Sequence, residues 1–420
     1  MDVRIEPGKY WGKVNLPPSR QEMHRKIIIG TLAGAGRIDG SDDCDDTKSS
    51  FDASYGLVRT YPDGKEPEVR KLRCGASLAA VKMIMPVSGL FDKKFLFDVK
   101  DELKGLDLKA LTDVLCAHGM SFEGSSLPFV SSGKLQPGKY EIDLTDADFI
   151  SGLLMALPML GGDSELKLLN EPANRAAIEI TIKALKDFEI EVGGTFGDWI
   201  IKGGQKAVLP EPPKKAYEYV NPNYKHKFKK HQNPTSPGLG IKCERDWSIA
   251  ANYIVANYFG SDVAMDGLSD ESLQREKCIG KALEGLGGKV DVSEIPSLIP
   301  LLAVAACKLN GTTELTGCGA FADGEKSRVV LTVDMINALG GDAKYDGAAD
   351  GGTIIIKGTG SLKGGKVDPK GDHRVAMAAS IAAHISEKGI DVLGASCTSK
   401  SCLNFFMDGT WLGAKMYYNV

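Results

Sequence analysis

Asp372-His-Arg-Val-Ala-Met-Ala-Ala-Ser-Ile-Ala-Ala-His-Ile385 opens on an acidic residue and continues almost wholly in small and aliphatic side chains, with no polar stripe at helical spacing. A helix that is apolar all round has to be covered on every side. Three further stretches share the pattern: Asp148-Phe-Ile-Ser-Gly-Leu-Leu-Met-Ala-Leu-Pro-Met-Leu160, Asp246-Trp-Ser-Ile-Ala-Ala-Asn-Tyr-Ile-Val-Ala-Asn-Tyr-Phe259 and Ser297-Leu-Ile-Pro-Leu-Leu-Ala-Val-Ala-Ala-Cys-Lys-Leu309. Short β-branched runs lie between them, at Ala177–Ile182, Thr353–Gly358 and Asp391–Gly394, so strand and helix alternate. The pattern predicts a repeated βαβ-type unit in an α/β chain, with small-residue helices in the middle and sheets packed outside.

The composition fits this. The 420 residues include 49 glycines but only 7% aromatics, 43% hydrophobic and 25% charged residues, as for an ordered globular chain of two or three domains. A net charge of −4 argues against a dedicated nucleic-acid binder. The N-terminus has no apolar signal region, and the longest apolar stretch, near Ile295–Cys307, is broken by Pro296 and Pro300 and too short to span a bilayer. A cytoplasmic monomer without nucleic-acid or membrane partners is expected. Nine scattered cysteines without a CxxC pair, and six histidines without ligand spacing, predict neither a disulfide framework nor a metal site. Residues 211–240 hold five prolines and six lysines against two glutamates, which reads as a solvated basic insertion where the chain divides.

Several clusters carry chemistry. Ser19 and Glu22 have capping-box spacing after Pro17-Pro18, so a helix is predicted to start there, presenting Arg20, Gln21 and Arg25 beside free backbone N–H groups. Arg374 falls in the first turn of the Asp372 helix, where the helix dipole disfavours a cation, so a carboxylate such as Asp372 or a ligand is required. Thr145 and Asp148 are spaced as a second capping box. Glu325-Lys-Ser-Arg328 and Thr398-Ser-Lys-Ser401 are charged clusters beside apolar segments. Gly358-Thr-Gly-Ser-Leu-Lys-Gly364 misses dinucleotide-binding spacing and reads as a hairpin loop.

Taken in order, these pieces resemble the 3-phosphoshikimate 1-carboxyvinyltransferase (EPSP synthase) family over almost the whole chain. Asn15-Leu-Pro-Pro-Ser-Arg-Gln-Glu-Met-His-Arg25 is similar to its opening P-[GP]-S-K-S-x-[ST]-[NH]-R motif. Phe149–Pro158 lies at its S-S-Q helix, Gly371–Met377 is similar to D-H-R-x-A-M, and Cys397-Thr-Ser-Lys-Ser401 to C-x-x-K-[ST]. The resemblance implies a two-domain inside-out α/β barrel, each domain three βαβαββ repeats, with a cleft that closes on ligand. The expected boundaries are 16–240 for an acceptor-binding domain, and 1–15 plus 241–420 for a phosphoenolpyruvate-binding one. It further implies transfer of the enolpyruvyl group of phosphoenolpyruvate, a co-substrate, to a hydroxyl, with no cofactor. Arg328, Arg374 and Lys400 match phosphoenolpyruvate-binding cations, Arg25 an arginine on the acceptor carboxylate, and Glu325 a catalytic glutamate.

The departures cluster. Arg20 stands where the family has a lysine, and an arginine cannot give up its proton at neutral pH. Asp146-Ala147-Asp148 replaces S-S-Q, Ser297 replaces an expected catalytic aspartate, Ala322–Arg328 has lost an arginine and a lysine, and Arg73-Cys-Gly-Ala-Ser77 lacks the arginine of its motif. Two carboxylates at a phosphate-gripping helix terminus repel a phosphate. The expected catalytic set is therefore Glu325, Arg20 and Lys400, and the substrate-binding set Arg25, Gln21, Asp146, Asp148, Ser297, Arg328 and Arg374. The acceptor is shikimate 3-phosphate or, given the losses, another hydroxylated metabolite, unphosphorylated or cationic. The alternatives are a catalytically silent homologue binding an anionic metabolite in a regulatory role, and a changed reaction on the same fold.

Overall fold

Two parallel strands joined over a helix, a second helix and a closing antiparallel pair form the unit from which the chain is built. The computed structural model describes every residue except 37, 39–42, 63–64, 212–241, 323, 325–326, 348–350 and 420, so the basic insertion lies almost wholly outside the described residues. Two compact units emerge, one from Met1–Pro17 and Glu244–Val420, the other principally from Pro18–Glu218.

In the Pro18–Glu218 unit, helix α1 is Arg20–Leu32, α2 Leu78–Ser88 and α3 Ala147–Ala156. Helix α2 joins the parallel strands Val69–Gly75 and Lys94–Val99, and Val130–Gly133 and Met120–Glu123 complete their sheet in that order. Helix α3 joins Lys139–Ile142 to Ser164–Leu168, and Asp198–Ile201 and Gly193–Thr195 follow in the same permutation.

The other unit repeats the plan. Its helices are α4, Trp247–Tyr258, α5, Ile299–Cys307, and α6, His373–Ala382. Helix α5 joins Lys289–Asp291 to Asn310–Thr316, with Thr353–Thr359 and Asp342–Asp346 completing the sheet. Helix α6 joins Gly365–Val367 to Ile390–Val392, and here the N-terminal strand Asp2–Ile5 takes the third place, before Met416–Asn419. Helix α4 leads into Asp262–Met265, which lies parallel to Trp11–Val14. The strand–helix alternation read from the sequence is therefore the real organisation.

All residues of α5 and α6 are buried, as is every residue of α3 except Asp148. Small residues make this possible. A Cβ on Gly152 of α3 would stand 2.6 Å from the Met83 carbonyl oxygen and 3.0 Å from its Cα, so α3 rests directly on the backbone of α2.

Three expectations are corrected. Ala177–Ile182 is not a strand but part of the helix Arg175–Asp187, capped by Asn174, whose Oδ1 accepts from the Ala177 N–H at 3.1 Å. Its buried positions Ala177, Ile178, Thr181, Ala184 and Leu185 follow helical spacing, which outweighs the weak strand preference of Ile and Thr. Gly358–Gly364 is no hairpin, because the strands on either side belong to different sheets. Asp146, not Thr145, caps α3.

Two consequences are testable by thermal unfolding. Gly152→Ala drives a methyl into backbone that cannot move aside, an overpacking cost of about 2–3 kcal/mol, read as a fall of several degrees in midpoint; an unchanged midpoint would refute the close approach. Burial, reinforced by Arg20 and Arg25, pushes the His24 imidazole down to about 3. Burial and Lys9 push His384 down to about 4. Both rings stay neutral in the folded chain, whereas the unfolded chain protonates them below its ordinary value of about 6.5. Stability is therefore fully present above that value and lost as pH falls toward 3–4, by about 2 kcal/mol per histidine at pH 5. Substituting each with Gln should flatten the midpoint between pH 6.5 and 5, and a wild-type midpoint constant over that interval would contradict the assignment.

Candidate active site

The first two turns of α1, α2 and α3 gather ionisable residues. Ser19 caps α1, its Oγ accepting from the Glu22 N–H at 3.5 Å, as the capping-box spacing predicted. Arg20, the first helical residue, donates from one terminal nitrogen to Asp46 Oδ2 at 3.2 Å. Gln21 turns its carbonyl toward Arg25, and its side-chain Oε1 is buried without a hydrogen-bond partner among the described residues. His24 Nδ1 lies 2.6 Å from Ser50 Oγ.

Arg25 is 1% exposed and is held from all sides. Its Nε donates to Thr181 Oγ1 at 2.8 Å and one terminal nitrogen to the Gln21 carbonyl at 2.9 Å. The other terminal nitrogen donates to Asp148 Oδ1 at 3.3 Å and to Ser151 Oγ at 3.2 Å. Four of its five N–H groups are thereby engaged within the protein. Asp146 uses one oxygen to accept from the Phe149 N–H at 3.0 Å and pairs through the other with Lys82 of α2. Both Asp146 and Asp148 thus meet a cation of this unit.

In the unit containing α4–α6, the helix caps again organise the charges. Asp372 caps α6 with Oδ1, accepting from the Arg374 and Val375 N–H groups at 2.8 and 3.1 Å, and its Oδ2 accepts from Arg328 Nε at 3.0 Å. Asp372 therefore answers the Arg374 backbone and the Arg328 guanidinium. The Arg374 guanidinium reaches across to α4, donating to the Ser248 carbonyl at 3.3 Å and Ser248 Oγ at 2.7 Å. Ser248 is itself fixed by Asp246, the cap of α4, whose Oδ1 accepts from its N–H at 2.9 Å. Lys400 ends the short 3₁₀ turn Ala395–Lys400, which packs against α6, and remains partly exposed. Arg328 also donates to the Pro296 carbonyl at 3.5 Å, next to Ser297, whose Oγ donates to Glu276 at 2.7 Å. Glu325 lies outside the described residues.

The structure thus gathers Arg20, Gln21, Arg25, Asp146 and Asp148 in one unit, and Ser297, Arg328 and Arg374 in the other. Sequence reasoning missed Lys82, Asp46, Ser248 and Glu276. Lys82 did carry a signal, as the one charge in the apolar run Leu78-Ala-Ala-Val-Lys-Met-Ile-Met-Pro-Val87. Asp46 lies in an acidic stretch that reads as a solvated surface, and Glu276 belongs to no motif.

The comparisons agree with this architecture. The family model described as EPSP synthase (3-phosphoshikimate 1-carboxyvinyltransferase) matches residues 5–217 and 262–408. A curated 3-phosphoshikimate 1-carboxyvinyltransferase of Clostridium kluyveri is 27% identical over 99% of this chain and 98% of its own length. The protein of that name from Clostridioides difficile is 26% identical over the same shares. An EPSP synthase structure from Acinetobacter baumannii superposes with a TM-score of 0.76 at 18% identity, covering 100% of both chains. With the repeat, both charge clusters and the family match running from one end of the sequence to the other, the chain belongs to the EPSP synthase family.

Proposed function

We propose that this chain transfers the enolpyruvyl group of phosphoenolpyruvate to a hydroxyl of an acceptor that is not phosphorylated. The acceptor hydroxyl adds to C2 of phosphoenolpyruvate, C3 takes up a proton, and loss of that proton with departure of phosphate restores the double bond. Phosphoenolpyruvate brings a carboxylate and a phosphate, and Arg328, Arg374 and Lys400 are the groups assigned to them. Arginines held in fixed orientation, as Asp372 and Ser248 hold these, bind such anions with little reorganisation.

The observation that carries the acceptor assignment is the pairing of Asp146 with Lys82 and of Asp148 with Arg25. An anionic acceptor group at the N-terminus of α3 would meet two carboxylates instead of open backbone donors. Each close like-charged pair costs about 1–4 kcal/mol between the limits of water and a partly buried surface. The cations that could repay this already have carboxylate partners in the fold. A neutral hydroxylated ring, or one bearing an amine, meets no such penalty. The catalytically silent alternative has its own support in Arg20, which is bonded to Asp46 and cannot shuttle protons.

Phosphate release separates the readings, with phosphoenolpyruvate and, in turn, shikimate 3-phosphate, shikimate, and a panel of polyols and amino-cyclitols. Turnover is expected with an unphosphorylated member, and preferential use of shikimate 3-phosphate would overturn the acceptor assignment. Silence with every acceptor would favour the non-catalytic reading. Arg374→Ala should weaken phosphoenolpyruvate binding, measured by calorimetry, by about 10- to 100-fold, the worth of hydrogen bonds to a charged group; unchanged affinity would remove Arg374 from the site. The double variant Asp146→Ser, Asp148→Gln should improve the KM for shikimate 3-phosphate at least tenfold, and no improvement would show that these carboxylates do not exclude it.

A further inference from the structure

We propose that Glu276, acting through the Ser297 hydroxyl, is the carboxylate that takes the proton from the attacking acceptor hydroxyl. This rests on the transferase reading. Glu276 is only 7% exposed and sits in the 3₁₀ turn Arg275–Cys278. That turn is pinned by Gln274, which accepts from the Trp247 N–H at 3.0 Å and donates to the Arg245 carbonyl at 2.8 Å, so the carboxylate has little freedom to leave. Ser297 is only partly covered, and its Oγ donates to Glu276 Oε1 at 2.7 Å.

A serine hydroxyl that spends its proton on a carboxylate has both lone pairs left to accept. It can therefore accept a hydrogen bond from a further hydroxyl, and its own proton has a destination. In the step itself, the acceptor O–H breaks as its oxygen bonds to C2 of phosphoenolpyruvate. That proton passes to Ser297 Oγ, while the Ser297 proton passes to Glu276 Oε1, leaving serine neutral and the glutamate protonated. No electrons change hands.

The dyad lies beside the assigned phosphoenolpyruvate cations, because Arg328 donates to the carbonyl of Pro296, the residue before Ser297. Charged or titratable neighbours of the glutamate in its own turn are Arg275, paired with Glu294, Lys277, and Cys278, whose thiol is raised by burial and by the Glu276 charge. A staple between two turns would not need a charge. A neutral Gln could make the same hydrogen bond without burying a carboxylate.

The test uses the full chain with phosphoenolpyruvate and the best acceptor of the panel above, with thermal midpoints recorded for every variant. E276Q keeps the shape and the hydrogen bond but not the basicity. Its kcat should fall by about 100-fold or more, the usual worth of a positioned base, and the loss of kcat on the acid side of the wild-type profile should disappear. S297A should fall similarly, and E276Q/S297A no further, as for groups acting as one unit. E276Q/S297D, which offers a carboxylate directly, should recover at least tenfold over E276Q. A kcat for E276Q within threefold of wild type, or an unchanged acid limb, overturns the relay and leaves the transferase reading standing. A wild-type chain silent with every acceptor overturns both.

Discussion

A buried helix begins with backbone N–H groups that have no partner within the helix, and each needs an acceptor. In this chain aspartate supplies it at α3, α4 and α6, and the consequences reach beyond capping. A carboxylate has two oxygens. At Asp372 one holds the first amides of α6 and the other aims Arg328, and at Asp146 one holds Phe149 and the other takes Lys82. At Asp246 the cap fixes Ser248, and Ser248 fixes Arg374. The demand of a helix terminus for an anion thus becomes the device that places cations, and it depends on the helices beginning in buried surroundings. That enclosure in turn depends on residues as small as Gly152.

The same device has different outcomes in the two units because of what surrounds it. Around α3 a second carboxylate, Asp148, comes within 3.3 Å of Arg25, and Asp46 within 3.2 Å of Arg20, so each of these cations has a carboxylate of the fold at hand. In the other unit Arg328 likewise has Asp372 at 3.0 Å, while the carboxylates of Asp246 and Glu276 accept from amides or hydroxyls and the Arg374 guanidinium donates to Ser248. A net charge near zero for the whole chain conceals this contrast, since bulk charge averages over both clusters.

Much of this was legible in the sequence. The four small-residue helices, the aspartates opening the Asp246 and Asp372 helices and the order of the motifs are local properties, and local properties survive reading in one dimension. Arg374 stood out locally, as a cation in the first turn of a buried helix, whereas Arg328 was given a role only by the family resemblance. What escaped was pairing over distance: Asp146 with Lys82, Arg20 with Asp46, Ser297 with Glu276. Nothing local distinguishes an aspartate that meets a cation from one that meets water. Ala177–Ile182 failed differently, because β-branched composition was given more weight than the helical spacing of its buried positions.

The proton traffic is where these observations constrain one another most. Addition across the enol double bond removes one proton from the acceptor hydroxyl and delivers one to C3, so groups able to change protonation near neutrality are required. Arg20 is excluded by the guanidinium's basicity, and it is bonded to Asp46. His24, though next to the arginines, is pushed down to about 3 by burial and by those same charges, so it carries no transferable proton at working pH. Lys400 is assigned to phosphoenolpyruvate and Glu325 lies outside the described residues, and the described carboxylates are the further candidates. Those of Asp146 and Asp372 are committed at once to helix amides and to a cation. Asp246 and Glu276 each accept from a serine hydroxyl, but Asp246 also caps α4 and its Ser248 is bonded to the Arg374 guanidinium, whereas Glu276 meets a partly covered Ser297, and this difference in surroundings makes the Glu276–Ser297 pair the route for protons while the capping aspartates serve as anchors.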